Sequence, residues 1–205
     1  TVFKMGLFMA LASFAFATYA ADNEIEREFQ VSLGGKLVIE SDSGPIDVEA
    51  WDNSSVQVSV RDTDGFTVEM NQSGNTVTVT AEAQRGGLFS RMRSKISFSV
   101  RVPREFDVEL DTGGGAISVS DLTGDVEANT SGGRIEIGNI TQGKVIADTS
   151  GGRIEIGDVD GDVEADTSGG AIEIGNVSGR VVADTSGGSI RIGNVQGDMS
   201  ADTSG

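Results

Sequence analysis

Short segments of alternating apolar and polar residues run along most of the chain, beginning a few residues after position 20. Period-two alternation is typical of β-strands that bury one face, and no segment beyond the first twenty residues has the 3.6-residue period of an amphipathic helix. Between residues 55 and 110 the alternating segments are Val56-x-Val58-x-Val60, Phe66-x-Val68-x-Met70, Val77-x-Val79, Ile96-x-Phe98-x-Val100-x-Val102 and Phe106-x-Val108-x-Leu110. The pattern predicts an all-β fold.

The second half of the chain is a repeat in which this alternation recurs at a fixed period. The motif Thr-[Ser/Gly]-Gly-Gly starts at Thr112, Thr130, Thr149, Thr167 and Thr185, and begins again at Thr203. Successive starts are 18 residues apart, except for one interval of 19 whose extra residue lies near Gln142. Each copy contains two short strand segments, separated by a Ser-Gly-Gly turn and by a second turn centred on glycine.

Two architectures fit such a unit: consecutive antiparallel hairpins, or a parallel β-solenoid in which each copy forms one coil. Equivalent outward positions of successive copies alternate in charge; they are Asp125, Lys144, Asp162, Arg180 and Asp198. Opposite charges would attract at the roughly 4.8 Å spacing of neighbouring strands only if consecutive copies lie side by side. We therefore predict a parallel β-solenoid (β-helix) of 18-residue coils, with an irregular strand-rich N-terminal part.

The same alignment predicts which side chains fill the solenoid. The inward positions are Val, Ile or Ala in every copy, and these residues stack well across neighbouring strands. They are Val126, Ala128, Ile135, Ile137, Ile140, Val145, Ala147, Ile154, Ile156, Val159, Val163, Ala165, Ile172, Ile174, Val177, Val181, Ala183, Ile190, Ile192 and Val195. One coil buries too little apolar surface to offset the entropy of ordering it, so the coils must stabilise one another.

The chain divides into four predicted segments. Residues 1–20 combine a positive charge at Lys4, an apolar run and small residues at the end, which is typical of a secretory signal peptide. An uncleaved membrane anchor is the alternative. Residues 21–54 are predicted to form an N-terminal strand and a degenerate capping coil. Residues 55–110 are predicted to be inserted strands and hairpins with a basic loop at 85–104, and residues 111–205 to be solenoid repeats truncated at the C-terminus.

The capping coil is recognised by its resemblance to a repeat. Asp42-Ser43-Gly44-Pro45-Ile46 matches Asp166-Thr167-Ser168-Gly169-Gly170-Ala171-Ile172 with a shortened turn. On this alignment Ser43 is predicted to take the position that Thr167 has in its copy.

The amino-acid composition limits the kinds of functional site that the chain can form. The 205 residues include no Cys and no His, which excludes disulfides, thiol nucleophiles and any triad or metal site that needs imidazole. Lys and Arg number 15 against 32 Asp and Glu, and the net charge of −17 argues against a nucleic-acid partner. Residues 111–205 carry 16 of the acidic and 5 of the basic side chains. We predict a protein that is not an enzyme and takes no cofactor.

An acidic column is the first candidate site. The position before each motif threonine is Asn129 in one copy and then Asp148, Asp166, Asp184 and Asp202. Unit charges about 4.8 Å apart repel by on the order of 1 kcal/mol even at the dielectric constant of water. The functional interpretation is a stripe that attracts cations or excludes polyanions. The alternative is a set of solvated turn caps whose carboxylates accept backbone N–H groups.

A basic stretch is the second candidate. Six cationic residues occur between Glu82 and Glu105 with no acidic residue among them; they are Arg85, Arg91, Arg93, Lys95, Arg101 and Arg104. Part of this stretch is predicted to be an exposed docking loop for an anionic membrane surface, and its candidate residues are Leu88, Phe89, Arg91, Met92 and Arg93. The alternative is a loop that packs over the solenoid and pairs its charges with nearby acids.

The order of these segments resembles a known family. An opening LVIESDSGPIDVEAW, the lead-in SFSVRVPREFDVELDTGGGAISV and iterated units such as GDVEADTSGGAIEIGNV are similar to the bacterial β-strand-repeat family that is catalogued as a domain of unknown function and labelled "putative adhesin". The resemblance covers residues 25–205. It implies a β-helical, exported envelope protein with no assigned catalytic residues.

These features predict a non-catalytic, exported cell-envelope protein, an adhesin or scaffold, located in the periplasm, at the cell surface or outside the cell. The expected partner is an envelope protein or polysaccharide. A periplasmic envelope-stress or regulatory module that binds another protein is the alternative. A carbohydrate-active β-helix enzyme is weaker, because no pair of carboxylates stands apart from the repeat pattern.

Overall fold

The computed structural model describes residues 23–84 and 96–204. None of these residues lies in a helix, so this part of the chain contains no helix able to span a membrane. The first eight strands are β1 (Glu24–Gln30), β2 (Gly35–Ser41), β3 (Ile46–Trp51), β4 (Ser55–Arg61), β5 (Phe66–Ser73), β6 (Thr76–Ala83), β7 (Ser97–Pro103) and β8 (Phe106–Thr112). The prediction of an all-β fold is confirmed.

The remaining strands are short. They are β9 (Ile117–Val119), β10 (Leu122–Thr123), β11 (Val126–Thr130), β12 (Ile135–Ile137), β13 (Ile140–Thr141), β14 (Val145–Thr149), β15 (Ile154–Ile156), β16 (Val163–Thr167), β17 (Ile172–Ile174), β18 (Val181–Thr185), β19 (Ile190–Ile192) and β20 (Met199–Thr203). In each copy a five-residue strand is followed by the Ser-Gly-Gly turn and then by a three-residue strand.

The strands form two long sheets. Sheet A has the order β1-β4-β7-β3-β9-β12-β15-β17-β19, and sheet B has the order β5-β6-β2-β8-β11-β14-β16-β18-β20. Strands β10 and β13 pair with each other, and single bridges join Ile140, Val159, Val177 and Val195 in succession. We call this third set of pairings the third ladder. The sequence predicted only two strand segments per copy, because one or two paired residues leave no alternation to detect.

Consecutive copies are direct neighbours. From β8 to β20 every pairing within sheet B is parallel, and equivalent residues face each other, as in Val145 with Val163 and Thr149 with Thr167. Sheet A follows the same rule, with Ile154 beside Ile172. The alternative of consecutive antiparallel hairpins is therefore wrong for the repeats.

The predicted inward side chains form the core between the sheets. Those from Val126 to Ala183 are buried, with exposed fractions of 5% or less. Ile190, Ile192 and Val195 lie in the last described copy and are partly buried against the same core. The core continues into the N-terminal part through large buried side chains such as Phe98 and Phe106.

A buried threonine ties each copy to the one before it. The Thr149 hydroxyl donates to the carbonyl of Gly133 at 2.8 Å and accepts the amide of Gly152 at 3.2 Å. Thr130, Thr167, Thr185 and Thr203 make the same bond to a glycine carbonyl of the preceding copy. These bonds satisfy backbone groups at the corner, where the sheet ladders are interrupted.

The second glycine of each motif is required by this close approach. A Cβ atom on Gly152 would overlap the carbonyl group of Gly133, whereas one on Gly151 would point into open space. The corner backbones of successive copies therefore touch only because the second position has no side chain.

The degenerate coil occupies the place of one copy, but its predicted alignment is wrong by two residues. Strand β2 pairs in parallel with β8 so that Ser41, and not Ser43, lies opposite Thr112. Ser41 is buried and its hydroxyl donates to the carbonyl of Ser43 at 2.7 Å. The predicted equivalence of Ile46 is confirmed, because Ile46 pairs with Ile117. Ser41 and Ile46 have the same spacing as Thr112 and Ile117, so the shortened turn is also wrong: matching the Asp-Ser-Gly motif had placed the threonine equivalent two residues too late, inside the turn.

The N-terminal end of the core is covered by antiparallel strands. Strand β1 pairs with β4 at the edge of sheet A, and β5 pairs with β6 at the edge of sheet B. The Arg27 guanidinium donates to the Met70 carbonyl at 3.1 Å, and the Gln72 amide donates to the Gln30 carbonyl at 2.7 Å. These bonds join the two edge strands and satisfy backbone groups that another chain could otherwise pair with.

Candidate functional site

The predicted acidic column lies on the outer surface of sheet B. Asn129, Asp148, Asp166, Asp184 and Asp202 occupy successive parallel strands in register. Asp111 and Glu40 continue the column toward the N-terminus. A single position of the repeat has thus become a line of carboxylates across seven strands, interrupted only by Asn129.

The interpretation of these aspartates as turn caps is wrong. Asp148, Asp166 and Asp184 belong to strands β14, β16 and β18 and point outward. Among the hydrogen bonds of the described residues, the turn amides are accepted by threonine hydroxyls and none involves these three carboxylates. Inter-copy register therefore overrides the turn preference of the Asp-Thr-Ser-Gly motif.

The ionised form of Asp166 is destabilised by its position in the middle of this column. Partial burial raises the pKa of Asp166 above its ordinary value, and the negative charges of Asp148, Asp184 and Glu164 raise it further. Within residues 23–84 and 96–204, no group of three or more acidic side chains is arranged to hold a metal ion. The role of the column as a cation-attracting stripe remains a prediction.

In the column with alternating charge, the aspartate side chains form hydrogen bonds to the backbone of the next copy, whereas the sequence predicted attraction between opposite side-chain charges. The carboxylate of Asp125 accepts the backbone amide of Lys144 at 2.8 Å, and that of Asp162 accepts the amide of Arg180 at 2.7 Å. The Lys144 ammonium lies 4.0 Å from Glu164. Aspartate at this position therefore stabilises the corner of the next copy through a backbone bond, in addition to any attraction between the charges.

Sheet A carries an outward column of a different kind. Ser118, Glu136, Glu155, Glu173 and Arg191 face outward on successive strands. Three arginines, Arg134, Arg153 and Arg191, pair with the glutamates. The column therefore has the same spacing as the one on sheet B, but its carboxylates have cationic partners.

The Arg153 guanidinium contacts Glu155 at 2.6 Å and Glu173 at 2.5 Å. Arg191 contacts the other oxygen of Glu173 at 2.6 Å, and Arg134 lies 3.6 Å from Glu136. The hydrogen bond from Arg191 and then that from Arg153 hold the pKa of Glu173 below its ordinary value.

A shallow groove with a volume of about 880 Å³ runs beside this column. It crosses five copies, and each contributes an outward residue, the edge of an inward aliphatic side chain and a small residue. The small residues are Ser120, Gly138, Gly157, Gly175 and Gly193. Because four of the five have no side chain, the floor of the groove is largely bare backbone.

The glycines of the floor follow from a side-chain ladder at the neighbouring corner. The Asn139 amide oxygen accepts the backbone amide of Asp158 at 2.9 Å, and the Asp158 carboxylate accepts that of Asn176 at 2.7 Å. A Cβ atom on Gly157 would overlap the side-chain oxygen of Asn139. The packing that ties the copies together therefore also keeps the groove open.

The sequence-based analysis did not identify this groove. Its signal was a glycine that follows the second isoleucine of the three-residue strand in four of the five copies, where alternation alone would predict an outward side chain. A position at which most copies lack a side chain indicates either close backbone approach or a depression in the surface. Here both are present.

The predicted docking loop lies mostly outside the described residues, and this holds for Leu88, Phe89, Arg91, Met92 and Arg93. Two other members of the basic stretch are described. Arg104 pairs with Asp52 at 2.5 Å, and Arg101 lies 3.5 Å from Glu49 and stacks 5.8 Å from the centre of the Trp51 ring. For Arg101 and Arg104 the structure therefore favours the pairing with nearby acids that was the alternative interpretation.

Comparison with known proteins identifies the family. The model of the family described as Toastrack DUF4097 matches residues 35–205. The chain therefore belongs to this bacterial family of unknown function, as its repeat signature predicted. The comparison with curated proteins found no match.

Several solved structures are similar to the chain at low sequence identity. A putative adhesin from Bacteroides fragilis is 16% identical, with a TM-score of 0.43 and coverage of 89% of this chain and 97% of that one. A putative cell adhesion protein from Clostridium sporogenes is 9% identical, with a TM-score of 0.37 and coverage of 88% and 99%. A putative lipid binding protein from Parabacteroides distasonis is 17% identical, with a TM-score of 0.37 and coverage of 89% and 95%.

Proposed function

We propose that this protein is a non-catalytic, exported β-solenoid of the bacterial cell envelope that acts as an adhesin or scaffold. The observation that carries the proposal is the in-register stacking of outward side chains over the repeats. One sequence position of the repeat becomes a line of identical or complementary groups on a rigid surface. Such a surface suits contact with an extended partner along the stack better than chemistry at a single point.

Export is part of the proposal and is supported by the sequence of residues 1–20, which lie outside the described residues.

The experiment is a capture assay with the purified protein against envelope extracts, divided into a protein fraction and a protease-treated polysaccharide fraction. We expect a component of one fraction to be retained reproducibly and to be lost when outward residues are changed. The matched variants are Glu155→Ala on sheet A and Glu164→Ala on sheet B, because both positions belong to neighbouring copies and face outward. Retention that neither variant changes would contradict a role for the stacked faces.

A further inference from the structure

The groove beside sheet A has the chemistry of a polymer-binding surface. We propose that it binds a segment of a neutral, extended, β-linked polysaccharide that lies along the axis of the stack. The inference rests on the proposed function and names the class of partner for one face. It is carried by the spacing of the groove, by its floor and by the charge of its wall.

Spacing is the first argument. The outward residues of the wall repeat once per strand, at about 4.8 Å, and the five copies from Ser118 to Arg191 extend for about 19 Å. An extended β-1,4-linked pyranose chain advances by a similar distance per sugar unit, and successive units are turned over. About four consecutive units would therefore lie along the five copies, with every second unit presenting the same face to the protein.

The shape of the floor is the second argument. Bare glycine backbone at Gly138, Gly157 and Gly175 leaves a depression of about 880 Å³, which is within the size range of ligand sites. The edges of Ile156 and Ile174 line it, so that a sugar ring would have apolar atoms to lie against. A Cβ atom at Gly157 or Gly175 would collide with the side chain of Asn139 or Asp158 in the preceding copy, so these positions have no side chain.

The chemistry of the wall favours a sugar over a peptide. Glu136, Glu155 and Glu173 line the groove and supply only acceptors, while Arg191 lines it and supplies only donors. Arg134 and Arg153 add donors beside the glutamates with which they pair. A sugar hydroxyl can bond to both kinds of group. An extended peptide would instead need unpaired backbone groups, but the groove runs across strands that are already paired on both sides from β12 to β17.

Charge distinguishes a neutral polymer from a charged one. The three glutamates that line the groove are balanced by Arg191, which also lines it, and by Arg134 and Arg153, which pair with the glutamates from outside the lining. The contacts between Arg153, Glu155 and Glu173 fix these side chains in place. An anionic polymer would approach a protein whose repeats are strongly acidic. A cationic polymer would have to displace arginines from the carboxylates. A neutral polymer meets neither cost.

The test is isothermal titration calorimetry of the purified protein with three neutral β-1,4-linked hexasaccharides: cellohexaose, chitohexaose and mannohexaose. We expect at least one to bind, and the double variant Arg153→Ala/Glu155→Ala to weaken it by about tenfold or more. Glu136→Ala, in the neighbouring copy, should weaken the same ligand by a smaller factor. Glu164→Ala on sheet B is the matched control and should leave the affinity within about twofold.

The inference is overturned if none of the three sugars binds at millimolar concentration, or if the control variant loses as much affinity as the double variant. Binding of hexagalacturonate in preference to all three neutral sugars would also overturn it. Thermal unfolding of each variant, followed by circular dichroism, separates loss of a contact from loss of fold. If the capture assay retains an envelope component while all three sugars fail, the proposed function stands and this inference alone is wrong.

Discussion

On sheet A the outward column of the repeats consists of glutamates joined to arginines, whereas on sheet B the matching column consists of aspartates with no cationic partner among the described residues. Both columns arise from the same geometry, since parallel in-register stacking places each residue beside its own equivalent. On sheet A, Arg153 bridges Glu155 and Glu173. On sheet B, Asp166 lies between Asp148 and Asp184.

In-register stacking does not itself decide whether a column of charged side chains stabilises the fold. Glutamate and arginine have the reach to connect neighbouring copies, and they do so on sheet A. The short aspartate side chain keeps its charge close to the strand, where it is held beside two others. The pKa shifts have opposite signs accordingly: that of Glu173 is lowered by its arginines, and that of Asp166 is raised by burial and by its neighbours.

The largest expected effect comes from breaking the corner that imposes the stacking on both faces. Gly152→Ala would place a Cβ atom into the Gly133 carbonyl group, so that the backbones must separate or the turn must distort. We expect a loss of about 2–4 kcal/mol in the free energy of unfolding, measured by urea titration. Gly151→Ala is the control, because its Cβ atom meets nothing within 4 Å, and it should change stability by less than about 0.5 kcal/mol. Equal effects would show that the corner contact is not what holds the copies together.

Breaking the ion pairs of the glutamate column on sheet A should have the next largest effect on stability. Glu173→Gln removes the charge that Arg153 and Arg191 share, and we expect the melting temperature near pH 7 to fall by a few degrees. Because the folded pKa of Glu173 is lowered, its charged form stabilises the fold above the unfolded pKa. That contribution is lost as the pH falls through the folded pKa. The difference between variant and wild type should therefore vanish in acid, and a difference independent of pH would mean that the ion pairs do not contribute.

The unpaired column should respond with the opposite sign. Asp166→Asn removes one charge from the line, as Asn129 already does in an earlier copy, and we expect a rise of a degree or so in melting temperature at pH 7. Since the folded pKa of Asp166 is raised, its ionised form destabilises the fold and this penalty disappears as the pH falls through the folded pKa. A variant that melts below the wild type at pH 7 would contradict the repulsion.

Salt should separate the two faces with a smaller effect. Sodium chloride screens the repulsion on sheet B and also weakens the exposed ion pairs on sheet A, and the net charge of −17 makes the repulsion dominant. We expect the melting temperature of the wild type to rise with salt, and that of Asp166→Asn to rise less.

Calcium needs six to eight oxygen ligands, which a single line of aspartates does not surround. Calcium chloride at matched ionic strength should therefore add nothing, and an additional rise would identify the column as a cation site.

The smallest effect on stability is expected from the predicted docking segment, which lies outside the described residues. Arg91→Glu combined with Arg93→Glu should abolish binding to anionic vesicles if this segment docks on a membrane, while leaving the melting temperature unchanged. Vesicles of neutral lipid provide the control. Unchanged binding to the anionic vesicles would remove the docking hypothesis and leave the stacked faces as the only proposed contacts.

Sequence patterns predicted the strands and the stacking well, because alternation and an exact repeat leave few possible arrangements. Alternation accounts for the buried residues of the two strand segments in each copy, and the alignment of the copies adds Ile140, Val159 and Val177. The third ladder was missed since residues such as Val177 pair through single bridges and have no period. The aspartates were misinterpreted because Asp-Thr-Ser-Gly has the local preferences of a turn, while the register of the sheets keeps Asp166 in a strand and gives the turn bond to Thr167.

The copy of 19 residues has a consequence for how such a chain can change over time. Its extra residue is absorbed at the corner after Ile140, where Gln142 adopts a left-handed backbone with φ of 53°. Val145 nevertheless lies opposite both Val126 and Val163, so neither neighbour is displaced. An insertion at this corner therefore leaves the register of the neighbouring strands intact. The length of the chain is therefore easier to change during evolution than the residues at the stacked positions, because each stacked residue lies beside its equivalents in the neighbouring copies.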